Sequence, residues 1–237
     1  SPCSQDVARP SLTGPEGQRN RTLGPCSRVS GSLGSAMRDF RAELAREPCW
    51  GRRAEFLWRT RGAPLVDAML QNREELILLC EWIEARQLRS YLEVGIWTGR
   101  LVTTLQRLFS FERVAACDVG WAQRAGLPRH LPEGIDFLEA RSDSPEYVAW
   151  REAQPPFDLI LIDGDHSYEA VKRDFELNRA LPHRFLAFHD IANTHPAVVG
   201  VKQLWEELEG HKLELVRPLR CGAHTMGIGI WSATEQP

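Results

Sequence analysis

From residue 90 onward, short apolar runs alternate with amphipathic stretches. Seven runs rich in β-branched and aromatic residues predict strands, and they read SYLEVG, RVAACDV, GIDFLEA, FDLILID, RFLAFHD, LELVRPL and MGIGIWSA. Between them, apolar residues recur near the helical period in GRLVTTLQRLF, SPEYVAWREA, YEAVKRDFELNRA and VVGVKQLWEELEG. Continuous apolar strands with crossover helices are typical of a parallel sheet covered on both faces. The pattern therefore predicts an α/β fold with a mostly parallel, seven-stranded sheet.

The part of the chain before residue 88 has a different texture. Residues 1–36 hold 16 Ser, Gly or Pro residues and lack aromatic residues, which predicts a disordered leader, either native or appended, with a transit peptide as the alternative. Residues 37–87 predict an N-terminal helical segment, with short helices in MRDFRAELAREP and GRRAEFLWRT and a longer one over PLVDAMLQNREELILLCEWIEARQL. We expect this segment to be a lid or an oligomer contact, and residues 88–237 to form the main domain.

Composition excludes several classes of function. The net charge of -3 and the lack of a basic patch argue against a nucleic-acid partner. No apolar stretch approaches the ~20 residues of a membrane span, and no signal-peptide pattern is present, so we expect no membrane association. The six cysteines are scattered without a CxxC pair, which favours reduced thiols and a cytoplasmic protein.

Glycines and an acid follow the first predicted strand. Glu93, Gly95 and Gly99 form the pattern E-x-G-x-x-x-G between this strand and the next helix. Glycine at position 95 permits a sharp turn and the close approach of a ligand to the main chain. A carboxylate beside this loop disfavours a pyrophosphate but suits an ammonium or sulfonium group. The alternative is a tight strand–helix turn that binds nothing.

Polar side chains also follow the next four predicted strands, at the edge where parallel sheets bind ligands. Asp118 lies 25 residues after Glu93, near the ~20-residue spacing at which an acid reaches ribose hydroxyls. The other polar residues at these strand ends are Ser142, Asp163, His166, His189 and Asp190. Helix capping or turn formation explains any one of them alone, but five polar strand ends on one edge favour a ligand site.

The motifs LEVGIWTGR, LIDGDHSYEAVKRDF and GVKQLWEEL make residues 88–231 resemble a class I S-adenosylmethionine-dependent methyltransferase. Within that class, the chain is similar to the group of macrocin O-methyltransferase-like and cephalosporin-hydroxylase-like proteins. The resemblance implies a Rossmann-like fold. It also implies that a methyl group moves from S-adenosylmethionine to a small-molecule acceptor, at a hydroxyl oxygen.

The same resemblance implies roles for individual residues. Those assigned to the cofactor are Glu93, Gly95, Trp97, Thr98, Gly99, Asp118, Ser142 and Asp163. His166 would be the catalytic base. Mg²⁺ or another divalent metal would be held by Asp163, His189 and Asp190, although the imidazole of His189 stands where metal-dependent relatives carry an oxygen ligand. Because Mg²⁺ prefers oxygen, this histidine weakens such a site or shifts it toward a transition metal.

Two other hypotheses remain open from the sequence. The chain could be a non-catalytic, cofactor-binding or regulatory protein of the same fold, which the imperfect His189–Asp190 pair favours. Hydroxylation is a further alternative, since His166, His189 and Asp190 could mimic an iron-binding triad. The identity of the acceptor and the formation of a homo-oligomer are not determined by the sequence.

Overall fold

The structure, a computed structural model, describes residues 38–51, 56, 66–218 and 225–237. The predicted leader, residues 1–36, and most of the helix predicted in GRRAEFLWRT lie outside the described residues. Within the described part of the chain, no helix is both long and apolar enough to cross a membrane.

The segment before the main sheet is helical only in part. Its described residues form helix α1 (Phe40–Glu43), a small parallel sheet of β1 (Cys49–Trp50) and β2 (Met69–Asn72), and helix α2 (Arg73–Arg86). The prediction of one long helix over PLVDAMLQNREELILLCEWIEARQL is therefore wrong in its first part, since a strand precedes α2.

Backbone and side-chain hydrogen bonds explain why this helix begins late. The backbone N–H of Met69 donates to the carbonyl of Pro48 at 2.8 Å, which holds the chain extended beside β1. The side chain of Asn72 accepts from the backbone N–H of Glu74 at 3.0 Å and so caps the N-terminus of α2. The apolar residues that fit a helical period are thus shared between a strand and a helix.

The main sheet and its helices follow the predicted alternation. Its strands are β3 (Ser90–Val94), β4 (Arg113–Asp118), β5 (Asp136–Glu139), β6 (Phe157–Ile162), β7 (His183–His189), β8 (His211–Leu215) and β9 (Ile228–Ser232). The helices between them are α3 (Arg100–Phe109), α4 (Trp121–Arg124), α5 (Pro145–Ala153), α6 (Tyr168–Ala180) and α7 (Val199–Glu207). The strand order is β5-β4-β3-β6-β7-β9-β8, and β9 runs antiparallel to the six other strands. The predicted seven-stranded, mostly parallel, Rossmann-like sheet is confirmed.

Alternate residues of the central strands pack on opposite faces of the sheet, as the two-residue period of a strand requires. On one face, Tyr91 and Leu159 pack with residues of α2 and α3. On the other face, Leu92 and Ile160 pack with residues of α5, α6 and α7. Both faces are therefore covered, which leaves the carboxyl edge of the strands as the accessible place for a site.

Strand order reverses between β3 and β6, and the two strand ends are bonded there. The backbone N–H of Asp163 donates to the carbonyl of Val94, and that of Gly95 donates to the carbonyl of Cys117, both at 2.8 Å. Gly95 has φ +86°, and a Cβ at this position would overlap the backbone of residues 163–164. Glycine is needed at position 95 because the ends of β3 and β6 meet closely there. The crevice at such a switch point is where open α/β sheets bind ligands.

Replacing Gly95 by Ala is expected to lower the free energy of unfolding more than the same change at Gly126. Both residues have positive φ (+86° and +88°), so alanine costs about 1–2 kcal/mol at either position. Only at Gly95 does the new Cβ also meet backbone, since nothing lies within 4 Å of it at Gly126. Denaturant unfolding of both variants measures the difference, and equal losses would contradict it.

Candidate active site

A cavity of about 1080 Å³ lies at the carboxyl edge of the sheet. This volume is slightly above the ~300–1,000 Å³ usual for one small ligand, so there is room for two molecules side by side. Its lining includes most of the residues singled out in the sequence, namely Glu93, Gly95, Trp97, Thr98, Asp118, Ser142, Asp163, His166, His189 and Asp190. Of the predicted cofactor residues, Gly99 alone lies outside this lining.

Glu93 is a buried acid that accepts a hydrogen bond from a neutral group. Its side chain is 1% exposed, and its Oε2 accepts from the hydroxyl of Tyr91 at 2.7 Å. Burial raises the pKa of Glu93 well above its ordinary value, and Asp163 and Asp118 raise it further, while the Tyr91 bond opposes them. A cation placed in the cavity beside Glu93 would oppose this shift and favour the ionised carboxylate.

Asp118 organises the loop that follows β3. Its Oδ2 accepts from the backbone N–H groups of Ile96 at 2.9 Å and Trp97 at 3.3 Å. Its Oδ1 accepts from the N–H of Gly120, two residues on, which forms an Asx turn. The turn role that the sequence left open is thus present. A carboxylate has about four acceptor positions, so one remains for a ligand hydroxyl.

Gly99 packs against a neighbouring loop rather than against the cavity. It has φ +80°, and a Cβ there would overlap the carbonyl of His130. The N–H of His130 donates to the carbonyl of Thr98 at 2.7 Å, which fixes this contact. Beside it, the hydroxyl of Thr98 is buried in the cavity wall without a hydrogen-bond partner among the described residues. Such an unpaired buried hydroxyl is a natural donor or acceptor for a polar ligand.

Trp97 is held in an unusual conformation at the mouth of the cavity. It has φ +54°, a left-handed conformation that is uncommon for a residue with a side chain. Its indole N–H donates to the carbonyl of Val66 at 2.8 Å, and its ring lies 5.2 Å from that of Trp121. The two aromatic rings line the cavity next to Asp118, where a flat ring system of a ligand could pack.

Ser142 lies in the cavity wall near a charged cluster. The neighbouring Asp143 pairs with Arg141 at 2.8 Å and with Arg173 at 3.1 Å, so its carboxylate serves an ion-pair network. Helix α5 is capped by a different serine, Ser144, which accepts from the N–H of Tyr147. Capping therefore does not account for Ser142, which is half-buried and lines the cavity.

Four side chains meet at the ends of β6 and β7. Oδ1 of Asp163 lies 3.0 Å from Nε2 of His166 and 3.2 Å from Nδ1 of His189. Asp190 approaches the same histidines, with its Oδ2 at 3.8 Å from Nδ1 of His166 and 3.6 Å from Nδ1 of His189. The strand ends thus bring together two carboxylates and two imidazoles, as the shared edge predicted.

The charges of this cluster support one another. Burial opposes ionisation of Asp163, but His189 and His166 outweigh it and lower the pKa of this carboxyl below its ordinary value. Burial also opposes protonation of His189, whereas Asp190 and Asp163 raise its pKa to about 10. The pKa of His166 is raised as well, because Asp163 and Asp190 outweigh its burial. The cluster is therefore built to hold and exchange protons.

The donor set does not suit Mg²⁺. Among the described residues, the ligand atoms that lie within 4.8 Å of one another belong to Asp163, His166 and His189, so His166 takes the place predicted for Asp190. Two of the three donors are imidazole nitrogens, whereas Mg²⁺ requires mostly oxygen ligands in octahedral geometry. No step of the chemistry is accordingly assigned to this ion.

Several residues of the site could not be found from the sequence. Gln71, from β2, donates to Oδ2 of Asp163 at 2.6 Å. Asp67 accepts from Arg100 at 2.7 and 2.6 Å and lies 3.1 Å from Nε2 of His130. Gln71 was not identified because residues 64–88 were predicted to be helical. The contact of Asp67 with His130 depends on the path of the loop before β5.

Comparisons with known proteins agree with the fold. Residues 92–191 match the family model described as a methyltransferase domain. A cofactor-bound protein from MTB is similar over 78% of this chain and 96% of its own, with 17% identity and a TM-score of 0.53. A Klebsiella pneumoniae protein provisionally assigned as an O-methyltransferase shares 15% identity over 78% of this chain and 98% of its own (TM-score 0.53).

A human methyltransferase 10 domain containing protein is also similar. It covers 85% of this chain and 100% of its own, with 14% identity and a TM-score of 0.52. At these identities the structures establish the fold alone, and the family model matches residues 92–191 of the 237 residues. No curated protein sequence matches the chain.

Proposed function

We propose that this chain, which contains a class I S-adenosylmethionine-dependent methyltransferase domain, transfers the methyl group of S-adenosylmethionine to a hydroxyl oxygen of a small molecule. One observation carries the proposal. One cavity at the switch point of the sheet is lined both by a buried acid, Glu93, which forms no ion pair among the described residues, and by a histidine paired with an aspartate, His166 with Asp163. The first suits a cationic cofactor and the second suits the removal of a proton.

The residues near β3 and β4 fit the cofactor. Glu93 would face its methionine end, where the ammonium and sulfonium charges compensate the buried carboxylate. The unpaired hydroxyl of Thr98 would bond the methionine carboxylate, and the remaining acceptor position of Asp118 would take a ribose hydroxyl. Trp97 and Ser142 would border the adenine. Gly95 and Gly99 would act indirectly, by allowing the backbone contacts that shape the loop.

His166 is the proposed base for the acceptor hydroxyl. Its Nε2 is engaged with Asp163 at 3.0 Å, which leaves Nδ1 to take the proton, since the 3.8 Å to Asp190 is too long for a hydrogen bond. When bound, the cofactor supplies a methyl group on a sulfonium, so that an O–C bond forms, a C–S bond breaks and the electron pair stays on sulfur. Asp163 and Asp190 stabilise the imidazolium that results.

The remaining walls of the cavity suit a small, largely apolar acceptor. Trp50, Leu70, Val198 and Met226 line it together with the cluster of Asp163 and the two histidines.

We also propose a cytoplasmic location, which the thiols of Cys49 and Cys117 support.

Methyl transfer from isotopically labelled S-adenosylmethionine tests the function directly. The full chain is incubated with a panel of phenolic, aliphatic and sugar hydroxyl compounds, and labelled products are identified by mass spectrometry. We expect label on an oxygen of at least one acceptor. Binding of the cofactor without turnover of any acceptor would instead support the non-catalytic alternative.

A further inference from the structure

Residues 66–72, here named the strap, contact both halves of the site. At one end, the carbonyl of Val66 accepts from the indole of Trp97 at 2.8 Å. At the other end, the side-chain amide of Gln71 donates to Asp163 at 2.6 Å, across 92 positions of sequence. The strap therefore joins the loop proposed for the cofactor to the groups proposed for proton transfer.

The contact of Gln71 divides the two oxygens of Asp163 between different partners. Oδ2 accepts from Gln71, while Oδ1 faces His166 at 3.0 Å and His189 at 3.2 Å. The side chain of Gln71 is only 3% exposed, so water does not readily replace this bond. A carboxylate held at both oxygens cannot rotate, and its direction fixes the direction of the histidines bonded to it.

We propose that Gln71 is a positioning residue for methyl transfer, because its bond to Oδ2 of Asp163 holds Oδ1 toward His166 and keeps the Nδ1 of that histidine available for the acceptor proton. This inference rests on the proposed function. It adds to the reaction a residue that lies outside the matched domain, residues 92–191, and that belongs to the segment before the main sheet.

The chemistry of the amide explains the choice of residue at this position. Glutamine donates a hydrogen bond without adding charge, so Asp163 remains ionised beside the two histidines. An ionised glutamate would repel Asp163, and two carboxylates in contact share a proton with one pKa strongly raised. Leucine would leave a buried carboxylate oxygen unpaired.

The pH dependence of two variants tests this role. Gln71→Leu is expected to lower kcat about tenfold or more at every pH, with the KM for S-adenosylmethionine unchanged. In Gln71→Glu, the loss of kcat relative to wild type is expected to be large at high pH and to shrink as the pH falls. At low pH the new carboxyl group and Asp163 share a proton, which restores the hydrogen bond to Oδ2. A merely structural defect would reduce both variants at every pH and would change the KM too.

A control and a second readout complete the test. Gln203→Leu makes the same change on the exposed side of α7 and should keep wild-type rates. The imidazole ¹⁵N shifts of His166 should change in Gln71→Leu but not in Gln203→Leu, with or without an acceptor. Unchanged shifts and a kcat within twofold of wild type in Gln71→Leu would overturn the proposal. If the wild type methylates nothing, the proposed function fails, while the ¹⁵N shifts still decide whether Gln71 orients the cluster.

Discussion

Replacing Glu93 by Gln is expected to weaken cofactor binding strongly without weakening the fold. The carboxyl group is buried, and it accepts a hydrogen bond from the neutral Tyr91 hydroxyl, so the cationic end of the cofactor would stabilise its ionised form. Loss of a charged hydrogen-bonding partner costs about 1.5–3 kcal/mol, which corresponds to a roughly 10- to 150-fold weaker affinity. Calorimetric titration with S-adenosylhomocysteine measures it.

The stability of the same variant has a definite pH dependence. Burial, Asp163 and Asp118 raise the pKa of Glu93 in the folded chain, so the folded state binds more protons than the unfolded one as the pH rises above the ordinary value of 4.5. Wild-type stability is therefore lost as the pH rises through this window, and the neutral amide of Glu93→Gln avoids that loss. Relative to wild type, the variant should thus gain in melting temperature as the pH rises above 4.5.

An exposed residue supplies the matched control for this prediction. Glu133→Gln makes the same chemical change on the surface and should alter neither affinity nor the pH dependence of stability. If Glu93→Gln binds S-adenosylhomocysteine as tightly as the wild type, the acid after β3 has no role in cofactor binding, and the E-x-G pattern is only a turn.

Replacing His166 by Gln is expected to abolish most of the turnover while leaving the cofactor affinity within about threefold of wild type. General base catalysis contributes typically ~10²–10⁴-fold, and glutamine keeps a polar side chain at Asp163 but cannot accept the proton. The measurement is kcat for labelled methyl transfer, together with the affinity for S-adenosylhomocysteine. The exposed His211 provides a control, because His211→Gln should change neither quantity.

The wild-type pH profile gives a second view of His166. Burial lowers its pKa, but Asp163 and Asp190 outweigh burial, and His189 opposes them only in part, so its pKa lies above 6.5. Activity that requires the deprotonated form should therefore rise with pH through a value above 6.5. A kcat that stays within fivefold of wild type in His166→Gln would assign the base to another residue.

The sheet was predictable because its strands are buried on both faces. FDLILI forms β6 as predicted, since a continuous apolar run of this length fits no exposed element. The grouping of polar residues at the strand ends was predictable as well, because the carboxyl ends of parallel strands share one edge of the sheet. Asp163, His166 and His189 do lie together at this edge.

Residues whose role depends on distant backbone could not be predicted. Met69 and Leu70 fit a helical period as well as a strand, and only pairing with β1 decides between them. Gln71 consequently appeared to lie in a helix, although it contacts a residue 92 positions away. Gly99 was assigned to the cofactor, but its contact is with His130, on a loop whose path the sequence does not show.

Titration of the full chain with S-adenosylhomocysteine tests the central claim most directly. If the cavity at the carboxyl edge is the cofactor site, the wild type binds one equivalent with a dissociation constant of about 1–100 µM. Asp118→Ala, which removes both the loop acceptor and the proposed ribose contact, should then bind at least about tenfold more weakly. Two results would contradict the placement of the cofactor in this cavity. One is no binding by the wild type, and the other is binding by Asp118→Ala and Glu93→Gln that is as tight as that of the wild type.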